Sequence, residues 1–388
     1  MQSISFLRHT VLLISAIAIG LASGVQAKEL RYATGFPPGS VSANTAETYA
    51  KKVEEYTNGD LSLRVFALSL LSAAETSDGV RDGLADIGYT LTAYFPRQFP
   101  HVNMINESSM QLATFDQDKL TSGKDTFAFN AAMTEFTFFH CPECNREYQA
   151  QNQVYTSNGA SSRYGLLCSS EVKSLDDMEG ARLRVAGSHW SRWATALGAT
   201  SISLTINEIR EALGQGVIDC NVQSAPEILN LGLDEVVTHI SMDVPGGLYA
   251  AASSANFNRD VWQSLTENQR AAILKAGAEF SADFVWGYVQ DEARALDKAE
   301  SNGATILQAE DSLTEATAEF VEQDMDVLVS YYAENYGVER GPEMLEEFRG
   351  VLDKWVDLVQ GVETKEELAN LYWKEIYSKV DVNAHGMN

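Results

Sequence analysis

Apolar residues recur along this chain with two periods, and the period changes at turn residues. Residues 30–34, Leu-Arg-Tyr-Ala-Thr, read as a short strand that runs into the loop Gly35-Phe36-Pro37-Pro38-Gly39-Ser40. From about Ser42, the residues Ala46, Tyr49, Ala50, Val53 and Tyr56 fall at helical spacing, with Lys51, Lys52, Glu54 and Glu55 on the opposite face. Asn58-Gly59-Asp60 stops that helix, because Asn and Gly accept the positive φ of a helix end. Leu61, Leu63 and Val65 then alternate with Ser62 and Arg64, the period of a strand over 61–66. A helix is predicted over about 73–83 and a strand over 87–90. Strands alternating with helices predict βαβ units and a mainly parallel sheet, whose ligands sit beyond the carboxyl ends of the strands.

The pattern weakens over about 111–155, a stretch that holds an aromatic run, Phe136-Thr137-Phe138-Phe139, and one C-x-x-C. Strand periodicity resumes at 163–167 and again at 181–185 and 217–222, with a short helix over 208–213. One long helix is predicted over about 261–301, with Trp262, Leu265, Ile273, Leu274, Phe280, Phe284 and Val285 as its apolar stripe. Near the end, Met344, Leu345, Phe348, Val351, Leu352, Trp355, Val356 and Val359 repeat at spacings of three and four, and Pro342 stands where a helix tolerates proline, in its first turn.

The N-terminus has a different character. Arg8 precedes an uninterrupted run of apolar and small residues over 11–22, and Val25-Gln26-Ala27 places small residues three and one before Lys28. This is the form of a secretory signal cleaved after Ala27, and the run is shorter than the about 20 residues that span a bilayer. The chain from Lys28 onward is long enough for two domains at about 150 residues each.

Composition narrows the function. With 45% hydrophobic and 10% aromatic residues the chain is an ordinary globular one. Its 54 acidic against 28 basic residues leave a net charge of −26, spread along the chain, which argues against nucleic acid or an anionic membrane as partner. Such a chain should also repel an anionic ligand. At marine salt, however, the screening length falls to a few Å (about 3 Å at 1 M), so only charges lining a site count. Four cysteines, Cys141, Cys144, Cys168 and Cys220, in an exported chain favour disulfides, and three pairings are open. A four-thiolate zinc site and a redox role for Cys141 and Cys144 are the rivals. The chain has no G-x-S-x-G, H-E-x-x-H, P-loop or dinucleotide fingerprint, and its six histidines lack metal-ligand spacing. No catalytic residue, metal or cofactor is therefore assigned.

The segment 174–185, SLDDMEGARLRV, leads a turn into a strand that carries Arg182 and Arg184. Alternation puts both on one face, so the pattern does not choose between them. A structural ion pair is the ordinary role of a lone arginine, but a planar guanidinium at a strand end facing a cleft also matches a carboxylate.

Here the chain resembles the DctP-type extracytoplasmic solute receptors of TRAP (tripartite ATP-independent periplasmic) transporters. The likeness runs in order: Pro37-Pro38-Gly39 into the first helix, Thr57-Asn58-Gly59, then Glu75, Gly83, Asp86 and Ile87, then 175–185 against D-L-K-G-K-K-I-R-V, Gly198-Ala199, and 208–219 against E-V-Y-x-A-L-Q-x-G-V-V-D. The resemblance implies an α/β, two-lobed periplasmic binding protein fold with a central cleft, hinge strands and a long bracing helix. It implies one lobe over 28–160 plus 250–290 and another over 161–249 plus 291–388. It carries the family's carboxylate-binding arginine onto Arg184, a second arginine onto Arg163, an acidic position near the pocket onto Glu75, and the position of a frequent asparagine onto Gln223. Trp190, Trp193 and Tyr249 are further candidates for the pocket wall. Ile206 stands where many members have an aromatic ring, Cys220 replaces a glycine, and the 111–155 segment and the tail look longer than usual.

The function implied is capture of a small organic acid by a monomeric periplasmic protein that hands it to the small and large subunits of a TRAP permease. A receptor reporting to a membrane sensor, and a periplasmic thiol protein, are the alternatives. Dicarboxylate, sugar acid, hydroxy acid, sulfonate and zwitterion all remain open as ligand classes.

Overall fold

A computed structural model describes residues 28–388, so the expected export segment, 1–27, lies outside the described residues. The strands are β1 (Lys28–Thr34), β2 (Leu61–Ala67), β3 (Ile87–Leu91), β4 (Gln153–Tyr155), β5 (Asn158–Gly159), β6 (Tyr164–Cys168), β7 (Arg182–Val185), β8 (Thr200–Ser203), β9 (Cys220–Ser224), β10 (His239–Ser241), β11 (Ala252–Asn258) and β12 (Thr305–Leu307). They form two sheets. The first has the order β2-β1-β3-β11-β4, with β5 also on β11; the second has the order β12-β10-β6-β9-β7-β8. Among the described residues no helix is long and apolar enough to cross a membrane.

Local sequence explains the first βαβ unit. The helix Val41–Tyr56 starts where the Ser40 side chain accepts from the Ala43 N–H. It ends where Asn58 and Gly59 take positive φ, and β2 then pairs in parallel with β1 from Leu61 onward. The expectation of mainly parallel sheets holds for only part of each. β1 is parallel to β2 and β3, but β11 runs antiparallel to β3, β4 and β5. β11 is a return strand: the chain comes back to the first sheet from the second and must run the opposite way. The second sheet repeats this plan, with β7 parallel to β8 and β9 while β6 is antiparallel to β9 and β10.

The chain passes from the first sheet to the second between β5 and β6, and returns between β10 and β11. The two crossings lie side by side. The Ser161 N–H donates to the Tyr249 carbonyl (2.9 Å), the Tyr249 N–H to Ser161 Oγ (3.1 Å) and the Tyr164 N–H to the Gly247 carbonyl (2.9 Å). The helix Glu267–Ser301 makes the third passage and delivers β12 to the edge of the second sheet.

Several expectations are corrected. The helix predicted over 261–301 is two, Arg259–Gln263 and Glu267–Ser301, because Thr266 and Gln269 form a reciprocal capping box that starts a new helix. The strand predicted over 217–222 begins only at Cys220, since Gly216 takes a φ of 65° and Val217 turns out to solvent. The helix predicted over 73–83 is confined to Thr76–Arg81. The unassigned stretch is helical, with Lys124–Glu135 and Pro142–Ala150 on either side of a π-helical turn, Phe136–His140. The cysteines form two buried disulfides, Cys141–Cys144 and Cys168–Cys220. The second joins directly opposed residues of β6 and β9.

The placement of 291–388 with the second sheet fails for its last part. The helix Asp311–Tyr336 does reach that side, where Asp324 receives both Nε and Nη2 of Arg192 (2.6 and 2.7 Å) and Thr317 Oγ1 accepts from Trp193 Nε1 (3.0 Å). The helix Gly341–Leu358 packs instead on Lys124–Glu135: Phe348 meets Phe129 and Phe136 edge-on at 5.2 and 5.5 Å, and Trp355 Nε1 donates to Glu135 at 2.6 Å. Its apolar stripe needs an apolar partner, and Lys124–Glu135, buried along nearly its whole length, supplies one. Phe348→Ala is therefore expected to cost about 3–5 kcal/mol in denaturant unfolding. A loss below about 1 kcal/mol would mean that the tail does not pack on this helix.

Candidate functional site

β7 carries its two arginines on one face, and their different depths along the strand decide between them. Arg182, at the start, is half exposed and grips Asp219 with two bonds, Nε–Oδ2 at 2.9 Å and Nη2–Oδ1 at 2.5 Å. Arg184 lies toward the carboxyl end and is 0% exposed. Its Nε donates to the Leu204 carbonyl (2.9 Å), Nη1 to Asn221 Oδ1 (3.4 Å) and Nη2 to the Tyr94 hydroxyl (3.0 Å). All three partners are neutral. Among the described residues no carboxylate pairs with Arg184, and two of the five guanidinium N–H groups have no acceptor.

Arg184 opens into a narrow cavity between the sheets. The first sheet contributes Phe36, Tyr89, Leu91 and Tyr94. The second contributes Ile206, Gln223 and Glu227, the crossings Tyr164 and Tyr249, and the long helix Phe284 and Tyr288. Arg184 and Gln223 stand at the carboxyl ends of β7 and β9, where open α/β sheets hold ligands. The wall is mainly aromatic and apolar, with a few polar atoms placed in it. Asn221 Nδ2 beside Arg184, Gln223 Oε1 and Glu227 Oε2 are buried without a hydrogen-bond partner. Gln223 and Glu227 thus keep free hydrogen-bonding capacity in the wall of the cavity.

Glu227 is the one acid lining the cavity. Its Oε1 accepts from the Tyr288 hydroxyl at 2.7 Å. Burial pushes its carboxyl up to about 7, although the Tyr288 bond, the nearby Asn230 amide and the charge of Arg184 each pull it down.

The two halves also meet around the rim. Tyr94, from the first, receives the Ile206 N–H (2.9 Å) as well as Arg184. Asn207 donates to the Gly35 carbonyl (2.9 Å) and accepts from the Ala73 N–H (3.3 Å), and Asn230 Oδ1 accepts from the Val41 N–H (3.0 Å). On the far side, the Ser188 N–H donates to Glu107 at 2.6 Å.

Of the residues expected from the sequence, the structure brings Arg184, Gln223 and Tyr249 into the cavity. The Tyr249 hydroxyl is already engaged, accepting from the Ala93 N–H (3.2 Å) and donating to the Ala251 carbonyl (3.0 Å), so it offers its ring. Four expectations are corrected. Arg163 points away from the cavity, 39% exposed, because the Asp125 carboxylate, with Gln117, holds its guanidinium in a separate groove. Glu75 is exposed and caps its own turn through Ser72. Trp190 is one layer back, stacked on Tyr164 at 4.1 Å with its Nε1 bonded to the Gly246 carbonyl. Trp193 is core.

Tyr94, Tyr164, Glu227 and Tyr288 were not legible. The nearest signal was Glu227 itself, an acid between Ala225-Pro226 and Ile228-Leu229. The aromatic ring missing at Ile206 is supplied from the opposite half by Tyr94.

Comparison with known proteins agrees with this geometry. The family model described as "Bacterial extracellular solute-binding protein, family 7" (DctP) matches residues 32–334. A solute-binding protein of Chromohalobacter salexigens is 22% identical over 272 residues, covering 68% of this chain and 74% of its own. A marine metagenome TRAP solute-binding protein specific for pyroglutamate superposes with a TM-score of 0.69 at 19% identity, over 84% of this chain and 99% of that one. A TRAP periplasmic protein from Bordetella bronchiseptica with bound mandelate gives 0.68 at 21% identity, over 84% and 99%.

The raised carboxyl of Glu227 makes a prediction about stability. An unfolded glutamate ionises near pH 4.3, whereas the folded one keeps its proton to about 7. This group's contribution is therefore complete below the unfolded value and is lost as pH rises through 7. Glu227→Gln removes the titration. Without added ligand, the variant should gain on the wild type between pH 5 and pH 8, by up to about 3 kcal/mol at about 1.4 kcal/mol per unit. A difference in unfolding free energy that does not change with pH would show that the carboxylate is not desolvated.

Proposed function

Because the chain belongs to the DctP family of bacterial extracellular solute-binding proteins, we propose that it captures a small organic acid in the periplasm and delivers it to the membrane subunits of a TRAP permease. The observation that carries this reading is Arg184: a buried guanidinium whose partners are all neutral and whose free donors face a cavity. Burying a charge without an opposite charge is costly, and a ligand carboxylate answers it with two parallel hydrogen bonds. Relatives of the same fold described as specific for pyroglutamate and as holding mandelate are carboxylate binders, which supports an acid here. The net charge of −26 is no obstacle, because the site carries its own local cation.

The mechanism is closure about the paired crossings at 161–164 and 247–249 and the long helix. A ligand held by groups from both halves stabilises the form in which they meet. Tyr94 couples the two, since one hydroxyl meets both Arg184 and the Ile206 N–H. The protein acts by binding, as a monomer exported by its N-terminal segment, and catalyses nothing. The thiol alternative loses its footing, as Cys141 and Cys144 are joined and buried.

A thermal-shift screen of residues 28–388 against small organic acids tests this. An acid at about 1,000 times its Kd should add about 4 kcal/mol, several degrees for a chain of this size. Arg184→Ala should weaken binding by about 2–5 kcal/mol, or about 30- to 5,000-fold. If no acid shifts the wild type, or the shift survives Arg184→Ala, the carboxylate clamp is wrong.

A further inference from the structure

We propose that Glu227 is a second recognition group facing the same ligand, so that the solute is a carboxylate that also carries an N–H or O–H donor, such as an amino, lactam or hydroxy acid. This deepens the reading above and rests on it. Arg184 and Glu227 line one cavity, are both buried, and form no ion pair with each other. A cation and a carboxylate that line one aromatic-walled space without pairing suit a molecule that carries both a carboxylate and a donor.

The carboxylate is held as a recognition group would be. Tyr288, from the long helix that links the two sheets, donates to Oε1 and fixes the side chain, while Oε2 has no partner. The neighbouring Asn230 is anchored through Oδ1 to the Val41 N–H, which leaves its amide N–H groups toward Glu227. Buried acids that serve the structure look different here. Glu107 uses both oxygens on Ser188, and Glu135 is taken up by Lys354 and Trp355. A ligand donor would complete Oε2. An acid without one would leave that oxygen buried and dry, and sites built to hydrogen-bond a ligand group reject the analogue that lacks it. Charge follows the same logic: the ligand carboxylate offsets Arg184, and an ammonium would offset an ionised Glu227.

The test uses three pairs matched in shape: pyroglutamate and 3-oxocyclopentanecarboxylate, proline and cyclopentanecarboxylate, mandelate and phenylacetate. Titration calorimetry on residues 28–388 reads each Kd. The donor-bearing member of the pair that fits is expected to bind at least about tenfold tighter. In Glu227→Leu, or in Glu227→Met should the first not fold, the two members should come within about threefold of each other, with Arg184 still required. Equal binding of every pair by the wild type, or a preference that persists in the variant, overturns the assignment and leaves acid capture standing. Failure of the wild type to bind any of the six acids counts against both.

Discussion

A guanidinium sealed from water needs an answering charge, and among the described residues none pairs with Arg184. Three neutral groups hold it in place: a carbonyl from the segment after β8, an amide from β9 and a hydroxyl from the opposite half. They fix its direction without cancelling its charge. Arg182, two residues earlier on the same strand face, shows the contrast, since the Asp219 carboxylate answers its charge with two bonds. The structure thus spends one arginine on the β7–β9 junction and keeps the other for the cavity.

This arrangement depends on the two sheets meeting where they do. Each sheet is a parallel core extended by an antiparallel strand, and the chain crosses between them three times before its last helices return to the first side. The crossings at 161–164 and 247–249 bond to one another, so they bend as a pair. The rim contacts are few and polar: Asn207 to Gly35 and Ala73, Asn230 to Val41, and Ser188 to Glu107. Contacts of this kind exchange for water when a cleft opens, at a net cost of about 0.5–1.5 kcal/mol each.

Behind the cavity a second layer stiffens the wall. Trp190 stacks on Tyr164 and is tied to Gly246, so a ring that does not line the site still sets the position of one that does. The Cys168–Cys220 disulfide clamps β6 to β9 at the end remote from Gln223. The C-terminal helices brace the first sheet's side rather than the second, through Phe348, Trp355 and Tyr372.

The sequence by itself determined the alternating strand and helix plan and the family, and it singled out Arg184 as the candidate anion clamp, because each is written in local periodicity or a short ordered motif. Local signals also placed the first βαβ unit to within a residue or two, through the helical spacing from Ala46 to Tyr56 and through Asn58-Gly59. Only the tertiary structure decided which strands run antiparallel, where the tail packs, and which other side chains share the cavity with Arg184. Arg163 and Glu75 sit at matching positions along the chain, yet their side chains leave the cleft for Asp125 and for Ser72. Tyr94, Glu227 and Tyr288 belong to segments separated by well over a hundred residues or by a sheet crossing, and nothing local marks them. Their meeting is a product of the two crossings and the long helix. Motifs report what neighbours in sequence must do, whereas a cleft is assembled from residues whose nearness exists only after the sheets have formed and faced each other.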